Sequence, residues 1–167
     1  IHAHPEIGHH EHRTTSLIVD QLERAGLVVK MLPVGSGAYC DVLPGGFDDS
    51  MGLVGLRADI DALPIPDGKN VDYASKNPGV CHACGHDVHT VIALGVAAVL
   101  AQLKNELHGT VKFIFQPAEE TLSGARAMVA DGALENPKLD LILGYHNWPA
   151  VQAGKVGYNA TAVMAAG

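Results

Sequence analysis

The sequence predicts an α/β sandwich built around a mainly parallel sheet, on three observations. Segments of strand-like and helical periodicity alternate along 167 residues. The composition, 47% hydrophobic and only 17% charged, is that of a chain able to bury a real core and offset the entropy of ordering it. Side chains with ligand chemistry fall just after the strand-like runs or just before the longest helix, where sites gather in such sheets.

The elements follow in order. From Glu11 to Ala25 the apolar positions Leu17, Ile18, Leu22 and Ala25 recur at helical spacing and Gly26 is the stop. Leu27 to Leu32 is rich in Val and Leu, and Gly37 to Leu43 follows a Gly-Ser-Gly turn; both read as strands. Pro44-Gly45-Gly46 forms a loop, after which Gly52 to Leu56 is a short strand leading into Arg57-Ala58-Asp59. Ile65 to Val80 is polar and broken by Pro and Gly, hence a long loop of the kind that often carries function. His86 to Leu103 is the strongest helix, with apolar residues around so much of its circumference that packing on more than one side is expected. Thr110 to Phe115 is a β-branched and aromatic strand that stops at Pro117. Ser123 to Val129 is helical up to Gly132, and Leu139 to Tyr145 is a further strand. No internal repeat or low-complexity stretch interrupts this order, so one domain is expected.

Composition excludes several functions. A net charge of −7, from 18 acidic against 11 basic residues, leaves no electrostatic footprint for nucleic acid or anionic lipid. The longest apolar run, Val91 to Ala101, falls well short of the roughly 20 residues that cross a bilayer. Cys40, Cys81 and Cys84 are too few for a disulfide scaffold, which points to a reducing, cytoplasmic compartment. Ile1 at the start and Met164 to Gly167 at the end lead us to expect a piece of a longer protein.

The ligand-type residues define the chemistry. Asp59 and Asp61 follow one strand, Cys84, His86 and Asp87 precede the long helix, Glu119 and Glu120 follow another strand, and His146 follows the last. Thiolate, imidazole and carboxylate converging on one sheet edge suit zinc or a related first-row ion. Cys84 and His86, separated by Gly85, can face the same ion. Cys81 and Cys84 also form a Cys-x-x-Cys pair, open to a structural zinc knuckle or a thiol redox pair, but the knuckle lacks a second pair at matching spacing. Of the adjacent Glu119 and Glu120, one can bind metal while the other takes a proton from water, the division of labour in metal-assisted hydrolysis. Acids decorating a helix N-terminus are the plain alternative. A single His at the place of His146 is more often a hydrogen-bonded core or rim residue than a ligand, and Asp59 and Asp61 either orient a ligating imidazole or cap a loop. His2, His9, His10 and His12 read as a solvated helix entry.

Five motifs occur in one order: His4-Pro5-Glu6-Ile7-Gly8, Arg57 to Pro64, His82 to Thr90, Gln116-Pro117-Ala118-Glu119-Glu120 and Gly144-Tyr145-His146. In this the chain resembles the amidohydrolase branch of the aminoacylase and carboxypeptidase group of co-catalytic metallopeptidases, which holds N-acyl-amino-acid amidohydrolases, hippurate hydrolases and auxin-conjugate hydrolases. The resemblance implies a three-layer α/β/α zinc-peptidase-like catalytic domain, its sheet mixed but mainly parallel. It further implies two divalent ions, zinc or manganese first and cobalt or nickel as alternatives, held by Cys84, His86, Glu120 and His146. Glu119 is then the general base acting on a metal-bridged water, with Asp59, Asp61 and His89 in support and His4 near them. Cys81 stands where a Met is common and is no ligand.

Members of that family continue with a lid and dimerisation domain and then return to supply one more metal-binding His. Residues 1–167 are therefore expected to be the N-terminal part of the catalytic domain, from a homodimeric parent. The expected activity is hydrolysis of the amide bond of a small N-acyl amino acid of acetyl, benzoyl or indole-acetyl type, with no nucleic acid or membrane partner. The alternatives are a metal-binding but inactive fragment or homologue, and a thiol oxidoreductase using Cys81 and Cys84.

Overall fold

A computed structural model describes residues 1–46, 51–135 and 137–158. Its elements are α1 (His12–Arg24), β1 (Val29–Met31), β2 (Ala38–Val42), β3 (Leu53–Asp59), α2 (His86–Gln102), a 3-10 turn (Lys104–Glu106), β4 (Thr110–Gln116), α3 (Gly124–Ala130) and β5 (Leu141–Gly144). The strands form one sheet in the order β1-β2-β4-β3-β5. β3 pairs in parallel with both β4 and β5, whereas β1–β2 and β2–β4 are antiparallel, so the sheet is mixed and its pairings divide evenly. The antiparallel half exists because β1 and β2 are joined tightly, Leu32 N–H donating to the Gly37 carbonyl (3.0 Å) across the Gly-Ser-Gly turn. The parallel half needs crossovers, and α2 lies in the one from β3 to β4.

β4 shows how sequence becomes layers. Phe113 and Phe115 point to one face and pack with Ile18 and Leu22 of α1 and with Ala93 and Ala97 of α2. Ile114, one residue out of phase, points to the other face and packs with Tyr39, Leu32 and Met128 of α3. Helices thus cover both faces. α2 uses small residues, Ala93 and Ala97, to lie close to the sheet. It packs on more than one side, as expected, against α1 and the sheet, while its outer residues Val88, Val91, Ile92 and Val99 stay exposed among the described residues. Leu141, Ile142 and Leu143 of the edge strand β5 are likewise about half exposed. No described helix is long and apolar enough to cross a membrane.

Because β3, β4 and β5 run parallel, Asp59, Gln116 and Gly144 end together at one edge. The Asp61 carboxylate lies 3.2 Å from the His86 ring, which places the start of α2 at that same edge.

Candidate metal centre

Each side chain reaches the edge for a local reason. Gly85 precedes α2 in the left-handed region (φ 88°, ψ 21°), a conformation glycine adopts without strain, and turns the chain sharply between Cys84 and His86. Ala118, also left-handed (φ 48°), reverses the chain after β4 and presents Glu119 and Glu120. His146 lies just past the end of β5.

Two ligand-type clusters result, and they share His86. Cys84, His86 and His146 form one; His86, Glu119 and Glu120 form the other; in each, the candidate atoms lie within 4.8 Å of one another. Cys84 Sγ is 3.3 Å from His146 Nε2. His86 Nε2 is 3.8 Å from Glu120 Oε1 and 3.9 Å from Glu119 Oε2. His86 is fully buried, and its Nε2 and Glu120 Oε1 are buried with no hydrogen-bond partner among the described residues. Buried polar atoms are almost always partnered, so two such atoms 3.8 Å apart beside a thiol and a second imidazole are a donor set suited to a cation. The donor set fits a divalent metal.

The ring protons agree. His86 Nδ1 faces Asp61 Oδ1 at 3.2 Å, and a carboxylate only accepts, so Nδ1 carries the proton and Nε2 keeps its lone pair. His146 Nδ1 donates to the Asn147 carbonyl (2.8 Å), which likewise leaves its Nε2 free toward Cys84. Behind them His89 Nδ1 donates to Asp59 Oδ1 (2.6 Å), and Asp59 Oδ2 accepts from Arg57 Nη1 (2.7 Å). Asp59, His86 and His89 make a third, wholly buried group of the same kind. Asp61 also acts on the glutamate pair, because its other oxygen accepts the Glu120 backbone N–H (3.0 Å) and so ties both clusters to one carboxylate.

Electrostatically the pocket is acid-rich. Burial pushes the Cys84 thiol up to about 12, helped by Glu120, Asp59 and Glu119. Burial also raises Glu120, as do Glu119 and Asp61 beside it. For His86, burial opposes the charged form, yet the Asp61 hydrogen bond and the charges of Asp59, Asp61 and Glu120 outweigh it and raise the pKa. For Asp59, burial is outweighed by the His89 hydrogen bond and the Arg57 guanidinium, which hold the carboxyl below its ordinary value. A bound dication reverses this logic, since a coordinating thiol is deprotonated outright.

The structure therefore brings together Cys84, His86, Glu119, Glu120 and His146, with Asp59, Asp61 and His89 behind them. Cys81 is buried and free, and neither it nor His4 joins any of these groups among the described residues. His2 is not solvated as expected: its ring is largely buried and bonded to Asp87 Oδ2 at 2.6 Å. His9 is bonded to Ser123 Oγ, and His12 to the Gly35 carbonyl. Asn147 escaped the sequence reading. Its backbone N–H donates to His89 Nε2 (3.0 Å), and its side-chain amide presses on Gly85, where a Cβ would lie 2.5 Å from Oδ1. The signal for it was slight: an amide directly after a candidate ligand.

Comparison with known proteins gives a consistent picture. The model of peptidase family M20/M25/M40 matches residues 55–163. N-acetyl-L-cysteine deacetylase of Bacillus subtilis (strain 168) is 38% identical over 99% of this chain and 39% of its own length. Hippurate hydrolase of Campylobacter jejuni subsp. jejuni serotype O:2 is 40% identical over 99% of this chain and 42% of its own. Among solved structures, the Bacillus subtilis YXEP protein, described as a dinuclear metal binding peptidase from the M20 family, superposes with a TM-score of 0.82 at 42% identity. That match covers 89% of this chain and 40% of that one. The chain thus spans about two fifths of the length of the curated relatives it matches.

Proposed function

The chain belongs to peptidase family M20/M25/M40, and from that premise we propose that it is the metal-binding part of an amidohydrolase that cleaves the amide bond of small N-acyl amino acids. The observation that carries the reading is the pair of buried, unpartnered atoms His86 Nε2 and Glu120 Oε1, 3.8 Å apart beside Cys84 and His146. The relatives' names supply the substrate class: an N-acetyl amino acid in one case and hippurate, a benzoylated glycine, in another.

Cys84, His86, Glu120 and His146 would hold two divalent ions, zinc or manganese by the softness of the set. Bound there, such ions supply a lowered pKa for water and a polarised substrate carbonyl. Asp61 keeps His86 Nδ1 protonated and the Glu120 backbone in place; Asp59, through His89, steadies the ring stacked on His86. Glu119 is the more exposed of the two glutamates, at 33% of its side chain against 23%. It takes a proton from the attacking water and delivers it to the leaving amine. Coverage of two fifths of the relatives' length supports placing this chain within a longer catalytic protein, for which a dimeric state and a cytoplasmic location are part of the same proposal. It also favours a second reading, a metal-binding chain without turnover.

Hydrolysis of acetyl, benzoyl and indole-acetyl amino acids by the metal-loaded protein separates the two readings. Glu119→Gln should then retain its metal and lose turnover by roughly 100- to 10,000-fold. Retained turnover in a metal-replete Glu119→Gln protein overturns the base assignment.

A further inference from the structure

Glu11 occupies the N-cap position of α1 but makes no capping bond with its side chain. That work is done by Glu6, whose carboxylate accepts from the backbone N–H groups of Arg13 (3.0 Å) and Thr14 (2.8 Å) and from the Thr14 hydroxyl. Glu11 is instead fully buried and points away from its own helix. One of its oxygens accepts the Ala118 N–H at 2.7 Å, and the other accepts the Ser36 hydroxyl. A buried carboxylate held by two neutral donors is an expensive choice for stability alone, which turns attention to what Ala118 does.

Ala118 is the hinge between β4 and the glutamate pair. It is fully buried and sits at φ 48°, a region where a side chain is strained. The preceding Pro117 has no N–H, so Ala118 offers the first backbone donor after β4. Its strain is of the same order as the stabilisation from a hydrogen bond to a charged acceptor. The rest of the seat is shaped to the turn. A Cβ on Gly37 would lie 2.6 Å from the Pro117 ring, and one on Gly8 would lie 3.2 Å from Ala118 Cα. Beyond the turn, Asp61 accepts the Glu120 N–H at 3.0 Å. Glu119 and Glu120 are therefore strung between two buried carboxylates, Glu11 before them and Asp61 at the second of the pair.

We propose that Glu11 is a positioning residue: by fixing the Ala118 peptide it aims Glu119 and Glu120 at the pocket shared with His86. The proposal rests on the reading of that pocket as a hydrolytic metal site. Its test compares Glu11→Met, which keeps the bulk and removes the acceptor, with Glu11→Gln, which can still accept from Ala118 and donate to Ser36. Ser36→Ala removes the other bond to the same carboxylate. Each is prepared as the full chain loaded with cobalt(II), with its visible absorption, its kcat and its KM recorded on the acyl amino acids.

A displacement near 1 Å is enough to cost on the order of 100-fold in rate, and that is the expected fall in kcat for Glu11→Met, with KM little changed and the cobalt spectrum altered. Glu11→Gln should recover kcat to within about 3-fold of the parent, because both hydrogen bonds are remade. Ser36→Ala should keep the parent spectrum. The proposal is overturned if folded Glu11→Met keeps the parent kcat and spectrum, or if Ser36→Ala loses as much as Glu11→Met. Should Glu11→Met fail to fold, Glu11→Asp, whose shorter arm cannot span both partners, takes its place in the comparison. If the parent cleaves none of the substrates, the reading of the reaction fails, while the cobalt spectra still decide for or against Glu11.

Discussion

Substitution of Gly85 by alanine should be among the most damaging single-methyl changes in the chain, and the structure gives its size. Gly85 lies at φ 88°, where a residue with a Cβ is destabilised by about 1–2 kcal/mol. The new methyl would lie 2.5 Å from Asn147 Oδ1, 2.6 Å from Nδ2 and 2.8 Å from Cγ. That amide has little room to swing away, because it already lies against the buried His89 ring, with Oδ1 2.6 Å from Nε2. Forcing a methyl into such a contact costs a further 1–3 kcal/mol or so. Gly85→Ala should therefore cost about 2–5 kcal/mol, a large share of the roughly 5–15 kcal/mol that holds an ordinary domain together. Urea unfolding gives the number, and a double-mutant cycle gives its origin. In an Asn147→Ala background the clash is gone and only the backbone part, about 1–2 kcal/mol, should remain. An equal cost in both backgrounds would refute the contact, and a cost below about 1 kcal/mol in the parent would refute the backbone argument as well.

Two further outcomes follow from other sites. Cys84→Ala removes the thiol that lies 3.3 Å from His146 Nε2, and the metal-to-protein ratio after dialysis should fall; an unchanged ratio counts against Cys84 as a ligand. Asp67 accepts from the Ser75 N–H and from Lys69, and these bonds hold its carboxyl below the ordinary range. A lowered folded-state pKa contributes stability that is complete above the unfolded value, near 4 by the usual reference, and is lost as pH falls through the folded one. Asp67→Asn should thus be less stable than the parent at neutral pH, and chemical denaturation at descending pH should show the gap closing below about pH 4. A gap that stays constant into strong acid argues against it.

What could be read from the sequence was whatever has a local period or sits at a strand end. The alternation in Thr110 to Phe115 shows that Phe113 and Phe115 share a face that Ile114 does not, and the two core clusters divide in that way. Residues placed just after parallel strands must meet at one edge, which is why Glu119, Glu120 and His146 converge, while His86 reaches them from the start of α2. α2 resisted because its apolar residues go nearly all round, so hydrophobicity does not say which side meets the sheet; the small Ala93 and Ala97 settle that through close approach. His2 and Glu11 resisted for a different reason. Their partners, Asp87 and Ala118, lie 85 and 107 residues away, and a polar side chain satisfied at such range looks locally like one that is solvated.

The sharing of His86 by both ligand clusters has a consequence for how substitutions combine. Cys84 and Glu120 belong to different clusters that share that ring, and the two side chains also act on each other directly. On the proposed reading, losses at Cys84 and at Glu120 are coupled even when His86 is present, because the two side chains interact. Once His86 is replaced, each falls on a centre already dismantled and adds little. In genetic language His86 is epistatic to both. A lineage that drifted away from metal chemistry would lose the remaining selective hold on Cys84 and Glu120 in the single step that removed His86.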